Sequence, residues 1–233
     1  MTDRRRPLVV AIDGPAASGK SSTAKWVARE LGLRHVDSGS LYRAATAAAL
    51  RAEPNAERWS EASVLEAAKP IHLEPGETTF HPYLGQEDLE IAIRGKEVTS
   101  HVSQVAKMPG VRAWVNAQVQ QAAKGHSVVV DGRDMGTAVF PRARVKVFLV
   151  ADPKERARRR LVQRLQHAPD DAEIAAEVEA LVQRDVKDEA QTQQAPDAIV
   201  IDTTALTQEE QVERIVAMAR QALRGVPSTH GSV

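Results

Sequence analysis

Short apolar runs alternate with longer amphipathic stretches along this chain. The run 8–12, Leu-Val-Val-Ala-Ile, is apolar throughout and rich in β-branched residues. That pattern predicts a strand buried on both faces, as in a parallel sheet. Runs at 35–37, 127–131, 145–150 and 198–202 predict four more strands. Helical spacing predicts helices over 20–31, 40–51, 111–124, 153–166, 172–189 and 208–223, with Gly32 ending the first. Strands alternating with helices imply an α/β domain, here a five-stranded parallel sheet covered by helices on both faces. The texture changes between 70 and 98. There 71–74, 78–84 and 89–93 read as short strands separated by turn residues, a small β-rich insert.

Composition narrows the field. At 233 residues the chain suits one domain with an inserted lobe, and 42% hydrophobic residues suffice for a core. Lys+Arg and Asp+Glu balance at 31 each, which argues against a nucleic-acid partner. With no cysteine there is no disulfide, Cys-based zinc site or thiol nucleophile. The seven histidines lack HExxH-like spacing, so no structural transition metal is expected. The start has three arginines and only a five-residue apolar run before Asp13, too little for a signal peptide or a span of ~20 residues. A cytoplasmic protein without a membrane partner is therefore expected.

The chemistry begins at Gly14-Pro15-Ala16-Ala17-Ser18-Gly19-Lys20-Ser21, which fits G-x-x-x-x-G-K-[ST] with a strand before it and a helix after. Such a loop folds tightly enough for its N–H groups to converge on phosphate oxygens, at the positive end of the following helix. Lys20 would reach the β- and γ-phosphates, and the Ser21 hydroxyl would ligate Mg²⁺. The chain lacks the Asn-Lys-x-Asp stretch with which GTPases read guanine. A short chain opening on a phosphate loop points to a small-molecule kinase.

Two further stretches suit a second anion. Asp37-Ser38-Gly39-Ser40-Leu41-Tyr42-Arg43 offers a hydroxyl, a glycine N–H and a cation within one helical turn. It reads equally as a helix cap at Asp37 or Ser38, with Arg43 on a solvated face. The strand 128–130 ends in Asp131-Gly132-Arg133-Asp134. An apolar strand ending in Asp resembles a Walker B element, so Asp131 would hold Mg²⁺ directly or through water, and Arg133 would bridge donor and acceptor phosphates. Arg156, Arg158, Arg159 and Arg160 crowd one helix start. Spacing puts Arg156, Arg159 and Arg160 on one face with Arg158 turned away, a cluster suited to a lid.

Taken together, GPAASGKSS, DSGSLYR, VSQVAKMPGVR, DGRDMGTAVFP, ERARRR and IDTT resemble, in the same order, the bacterial cytidylate kinases, a branch of the nucleoside monophosphate kinases. The resemblance implies transfer of the γ-phosphate of ATP to CMP, and to dCMP, with Mg²⁺ as cofactor; a monomer is expected. It implies a P-loop kinase fold with core 7–66, 108–152 and 196–224. A β-rich nucleotide-monophosphate-binding insert would lie near 67–107 and a helical lid near 153–190; the Gly-, Pro- and Ser-rich tail at 225–233 is expected to be disordered. Gly14, Pro15, Ala16, Ala17, Ser18, Gly19, Lys20, Ser21 and Ser22 would hold the ATP phosphates, helped by Arg156, Arg159 and Arg160. Ser38, Arg43 and Arg133 would grip the CMP phosphate, and Ser103, Arg112 and Asp134 would read cytosine. Arg184 and Asp188 would approach the CMP sugar and phosphate, and Lys20, Arg133 and Arg184 would carry catalysis. Two departures stand out. Gln191 replaces an arginine, and the segment between Thr99 and Val102 reads as shorter than the family's. The readings beside this one are a P-loop kinase for UMP, AMP or shikimate, and a nucleotide-dependent switch with no acceptor.

Overall fold

The computed structural model describes residues 7–165 and 167–224. The tail expected to fray at 225–233, and the end of the helix drawn to 166, lie outside the described residues. The main sheet has five parallel strands: β1 (Val9–Asp13), β2 (Arg34–Asp37), β6 (Val128–Gly132), β7 (Val145–Val150) and β8 (Ile199–Asp202). Their order is β2-β6-β1-β7-β8. Successive residues of the central strands point into two different cores. Ala11, Val128 and Val130 join the core under α2 (Ser38–Ala52), α4 (Lys96–Val105) and α5 (Pro109–Ala122). Val10, Ile12 and Val129 join the core under α1 (Lys20–Leu31) and α8 (Gln208–Leu223). Burial on both faces is why these runs are apolar throughout rather than alternating.

Helix ends follow local chemistry. Asp37 caps α2 by accepting the Ser40 N–H, and Gly32 ends α1 in the left-handed conformation. The short α3 (Glu61–Ala68), not foreseen from the pattern, starts on a reciprocal Ser60–Ser63 cap. The helix α4, also not foreseen, buries Val98, Val102 and Val105 at helical spacing and runs unbroken past Thr99 and Val102.

A second, antiparallel sheet holds β3 (Ile71–Pro75), β4 (Phe80–Leu84) and β5 (Glu87–Asp88). The strand expected at 89–93 is absent. Leu89, Ile91 and Ile93 have strand-like alternation, yet Leu89 and Ile93 are buried while Ile91 is 89% exposed. Burial four residues apart is the helical period, and the Ile93 N–H donates to the Leu89 carbonyl just before a short 3₁₀ turn, Ala92–Arg94.

The helices α6 (Pro153–Arg164) and α7 (Asp171–Asp188) form an antiparallel hairpin. Its buried seam of Ala157, Leu161, Ile174 and Leu181 packs on Ala16, so it rests on the phosphate loop. Among the described residues, no helix is long and apolar enough to cross a membrane.

Candidate active site

The loop between β1 and α1 folds as its glycines require. Gly14 has φ 147°, and a Cβ there would stand 2.2 Å from the Leu149 carbonyl oxygen. Lys20 turns back over the loop, its Nζ 2.5 Å from the Pro15 carbonyl oxygen. Burial, then the neighbouring Arg133 and Arg184, pull its pKa down to about 7, against the attraction of Asp131 and Asp13.

Two clefts open beside the loop. The larger, about 900 Å³, is bounded by the loop and start of α1, by α6 and by the segment leading into α8. The smaller, about 250 Å³, lies between the end of β6, α2, α4 and α7. They share seven wall residues: Ala17, Lys20, Ser21, Asp37, Arg43, Arg94 and Arg184. Ser18, Gly19 and Ser22 line the larger cleft alone, and Gly14 and Pro15 line neither. All eight residues named for the acceptor, Ser38, Arg43, Ser103, Arg112, Arg133, Asp134, Arg184 and Asp188, line the smaller cleft, and Gln191 joins them.

The pairing within this wall is specific. Arg133 donates to the Gly14 carbonyl at 2.7 Å and to Asp188 Oδ2 at 2.9 Å, and Arg184 stands 3.5 Å from the same oxygen. Asp188 thus gathers two guanidinium groups at the cleft floor. Arg43 donates to Thr99 Oγ1 at 2.9 Å. Asp37 does cap α2, and Arg43 still faces both clefts, so both readings of that stretch hold in part. Arg112 and Asp134 form an ion pair, with the guanidinium 5.8 Å over the Tyr42 ring. Burial pushes the Asp134 carboxyl up, and Arg112 partly offsets this.

Ser21 Oγ donates to Asp131 Oδ2 at 2.6 Å, where the two clefts meet. Among the described residues no group of three or more His, Cys, Asp or Glu side chains gathers to bind a metal. Two oxygen donors beside a phosphate loop fit Mg²⁺, a hard cation that takes its remaining ligands from phosphate and water. Burial opposes the charge of Asp131, but His35 and the Ser21 hydroxyl outweigh it and hold this carboxyl below the usual range. Asp37 is held above that range by burial and by Asp131.

The arginine cluster differs from the helical-wheel reading. Arg156 is 4% exposed and lines neither cleft. It donates to the Ala16 carbonyl at 2.9 Å and pairs with Asp185 at 2.7 Å, and Asp185 accepts the Ala16 N–H at 3.3 Å. Arg158, placed on the far side by spacing, lines the larger cleft together with Arg159 and Arg160. Long flexible side chains at a helix start reach around it, which spacing alone does not capture.

A family model described as Cytidylate kinase matches residues 10–221. The chain belongs to the cytidylate kinase family. It is 40% identical over 219 residues to the cytidylate kinase of Lactiplantibacillus plantarum, covering 91% of this chain and 94% of that one. The cytidylate kinase of Streptococcus pneumoniae is 37% identical over 223 residues, covering 94% of this chain and all of that one. A solved structure of an uncharacterized protein from Eubacterium ventriosum overlays with a TM-score of 0.52, covering 91% of this chain and 98% of its own. At 11% identity that likeness is one of fold alone.

In this cytidylate kinase family member four site residues went unread in the sequence. Asp13 accepts the Met135 and Gly136 N–H groups, both at 2.8 Å, and so holds the turn that carries Arg133 and Asp134. An apolar strand ending in Asp was the signal that found Asp131, and it was present at Asp13 as well. Arg94 was hidden behind a misread strand. Asp185 and His35 had no local signal, because their partners lie 169 and 96 residues away.

Proposed function

We propose that the chain binds ATP·Mg²⁺ in the larger cleft and CMP or dCMP in the smaller one, and transfers the γ-phosphate between them. The observation that carries this is the shared wall of the two clefts. Lys20, Arg43, Arg94 and Arg184 converge where a donor and an acceptor phosphate would meet. Phosphoryl transfer needs alignment and charge neutralisation more than covalent help. The acceptor phosphate is already ionised at neutral pH, so its oxygen attacks in line without a strong base. Lys20, Arg133 and Arg184 neutralise the transferring group. Ser21 and Asp131 would hold Mg²⁺, which supplies charge neutralisation on the ATP phosphates.

Asp134 and Arg112 set an acceptor beside a donor on the wall of the smaller cleft. Cytosine presents the complement, an amino donor at N4 beside an acceptor at N3. Uracil presents the reverse, an acceptor at O4 beside a donor at N3. Ser103, from α4, lines the same cleft and suits the remaining edge of the base.

The test is ADP release with CMP, dCMP, UMP, AMP and shikimate as acceptors. Strong stimulation by CMP and dCMP is the expected result. Equal stimulation by another acceptor, or slow ATP hydrolysis that no acceptor stimulates, would contradict the proposal.

A further inference from the structure

Two substrates and a cation account for most polar side chains in the two clefts, but not for His35. It is wholly buried and lines neither cleft. Yet its Nε2 lies 2.5 Å from Asp131 Oδ1, while Ser21 holds Oδ2 at 2.6 Å. The Ser38 hydroxyl takes the main-chain carbonyl of Asp131 at 2.8 Å. Asp131 is therefore fixed at every oxygen. A carboxylate only accepts, so His35 Nε2 carries the proton in this contact. Among the described residues its Nδ1 is buried and accepts no hydrogen bond from a protein group. The main chain of His35 adds a second tie. Its N–H donates to the Thr78 carbonyl at 2.8 Å, and it bridges Thr79, at the turn leading into β4.

We infer that His35 is a positioning residue, which holds the Asp131 carboxylate with Oδ2 turned toward Ser21 and the phosphate-bound cation. This rests on the reading of Ser21 and Asp131 as the Mg²⁺ pair. A carboxylate anchored at one oxygen swings about its last bond. A second anchor removes that freedom, and such outer partners govern metal affinity through the ligand they orient. His35 lines neither cleft, and through β2 it joins the antiparallel sheet to the centre of the site.

The experiment compares wild type with His35→Phe and His35→Gln. Phe keeps the bulk and removes the donor, and Gln places an N–H near the position of Nε2. Three quantities are read: the Mg²⁺ concentration for half-maximal ADP release, KM for CMP, and Mn²⁺ affinity in complex with a non-hydrolysable ATP analogue. For His35→Phe the Mg²⁺ requirement should rise and Mn²⁺ affinity fall by about 10- to 100-fold. KM for CMP should stay within about twofold, because the acceptor contacts are untouched. His35→Gln should recover both metal readouts to within about threefold of wild type. A His35→Phe protein that melts lower but keeps the wild-type metal dependence would reduce His35 to core packing and overturn the inference. So would a folded His35→Gln protein that fails as His35→Phe does. Should His35→Phe not fold, His35→Asn takes its place, with the same amide one methylene short of Asp131. Equal metal dependence of the Asn and Gln proteins would then overturn it. Wild-type ADP release that CMP does not stimulate would instead count against the proposed function, whatever the variants do.

Discussion

Asp13 stands where an apolar strand delivers the chain to the phosphate loop. Burial pushes its pKa up to about 6, against the two N–H groups it accepts. Between pH 3.8 and about 6 the folded state therefore binds a proton that the unfolded state has released. The contribution of Asp13 to stability is greatest below that window and declines as pH rises through it. Asp13→Asn removes the titration. Without nucleotide, urea unfolding should show wild type gaining on Asp13→Asn by about 2–3 kcal/mol as pH falls from 7 to 4. A difference flat with pH would contradict this account of the buried carboxyl. Lys20 is the complementary case, a cation whose pKa burial and Arg133 pull down to about 7. Lys20→Met should cut turnover by about 10²-fold or more with the fold intact, since oriented charge is the main catalytic device. The difference in legibility between residues is physical. Lys20 and Ser21 announce themselves because a phosphate loop is built from neighbours in sequence. Arg133 and Asp134 follow a strand end. His35 looks like one more position in a short strand until β2 pairs with β6 and brings it to Asp131.

At the scale of elements, the hairpin α6–α7 holds both main-chain polar groups of one residue of the phosphate loop. Arg156 takes the Ala16 carbonyl and Asp185 takes its N–H. The same hairpin extends Arg158, Arg159 and Arg160 over the larger cleft. A segment that joins loop and cleft in this way is expected to tighten when phosphates fill the gap between like charges. Hydrogen exchange across 156–165 should slow with ATP plus CMP, and more than with either alone. Equal exchange with and without ligands would contradict a lid role. The long helices and central strands were legible because their burial repeats every 3.6 residues or is continuous. The α4 helix was not, since Thr, Ser and His have modest helix propensity and three valines carry its buried face. The segment 89–93 misled because Leu-x-Ile-x-Ile fits period two, whereas the structure buries only its first and last members.

For the whole molecule, the sheet sets β2, β6 and β1 side by side, and the ligand clefts lie outside their carboxyl ends, as in other open α/β sheets. Gln191, with no charge, lines the smaller cleft. The cations at the shared wall come instead from the start of α1, α2, the 3₁₀ turn after β5, and α7. On the proposed assignment, base choice is a property of the cleft wall rather than of phosphate grip. Uracil would meet Asp134 with repelling lone pairs and Arg112 with a second donor. Each reversed contact leaves buried polar groups unpaired, at ~1–3 kcal/mol apiece. Two together predict a preference for CMP over UMP of at least ~10²-fold in kcat/KM. Asp134→Ala removes the repelling group, so it should lower CMP use sharply and narrow the gap to UMP. The deciding measurement is kcat/KM for CMP and UMP in wild type and Asp134→Ala. The expected result is a large wild-type preference for CMP that shrinks in the variant. A wild type that uses UMP as well as CMP, or a variant that keeps the full preference, would contradict it.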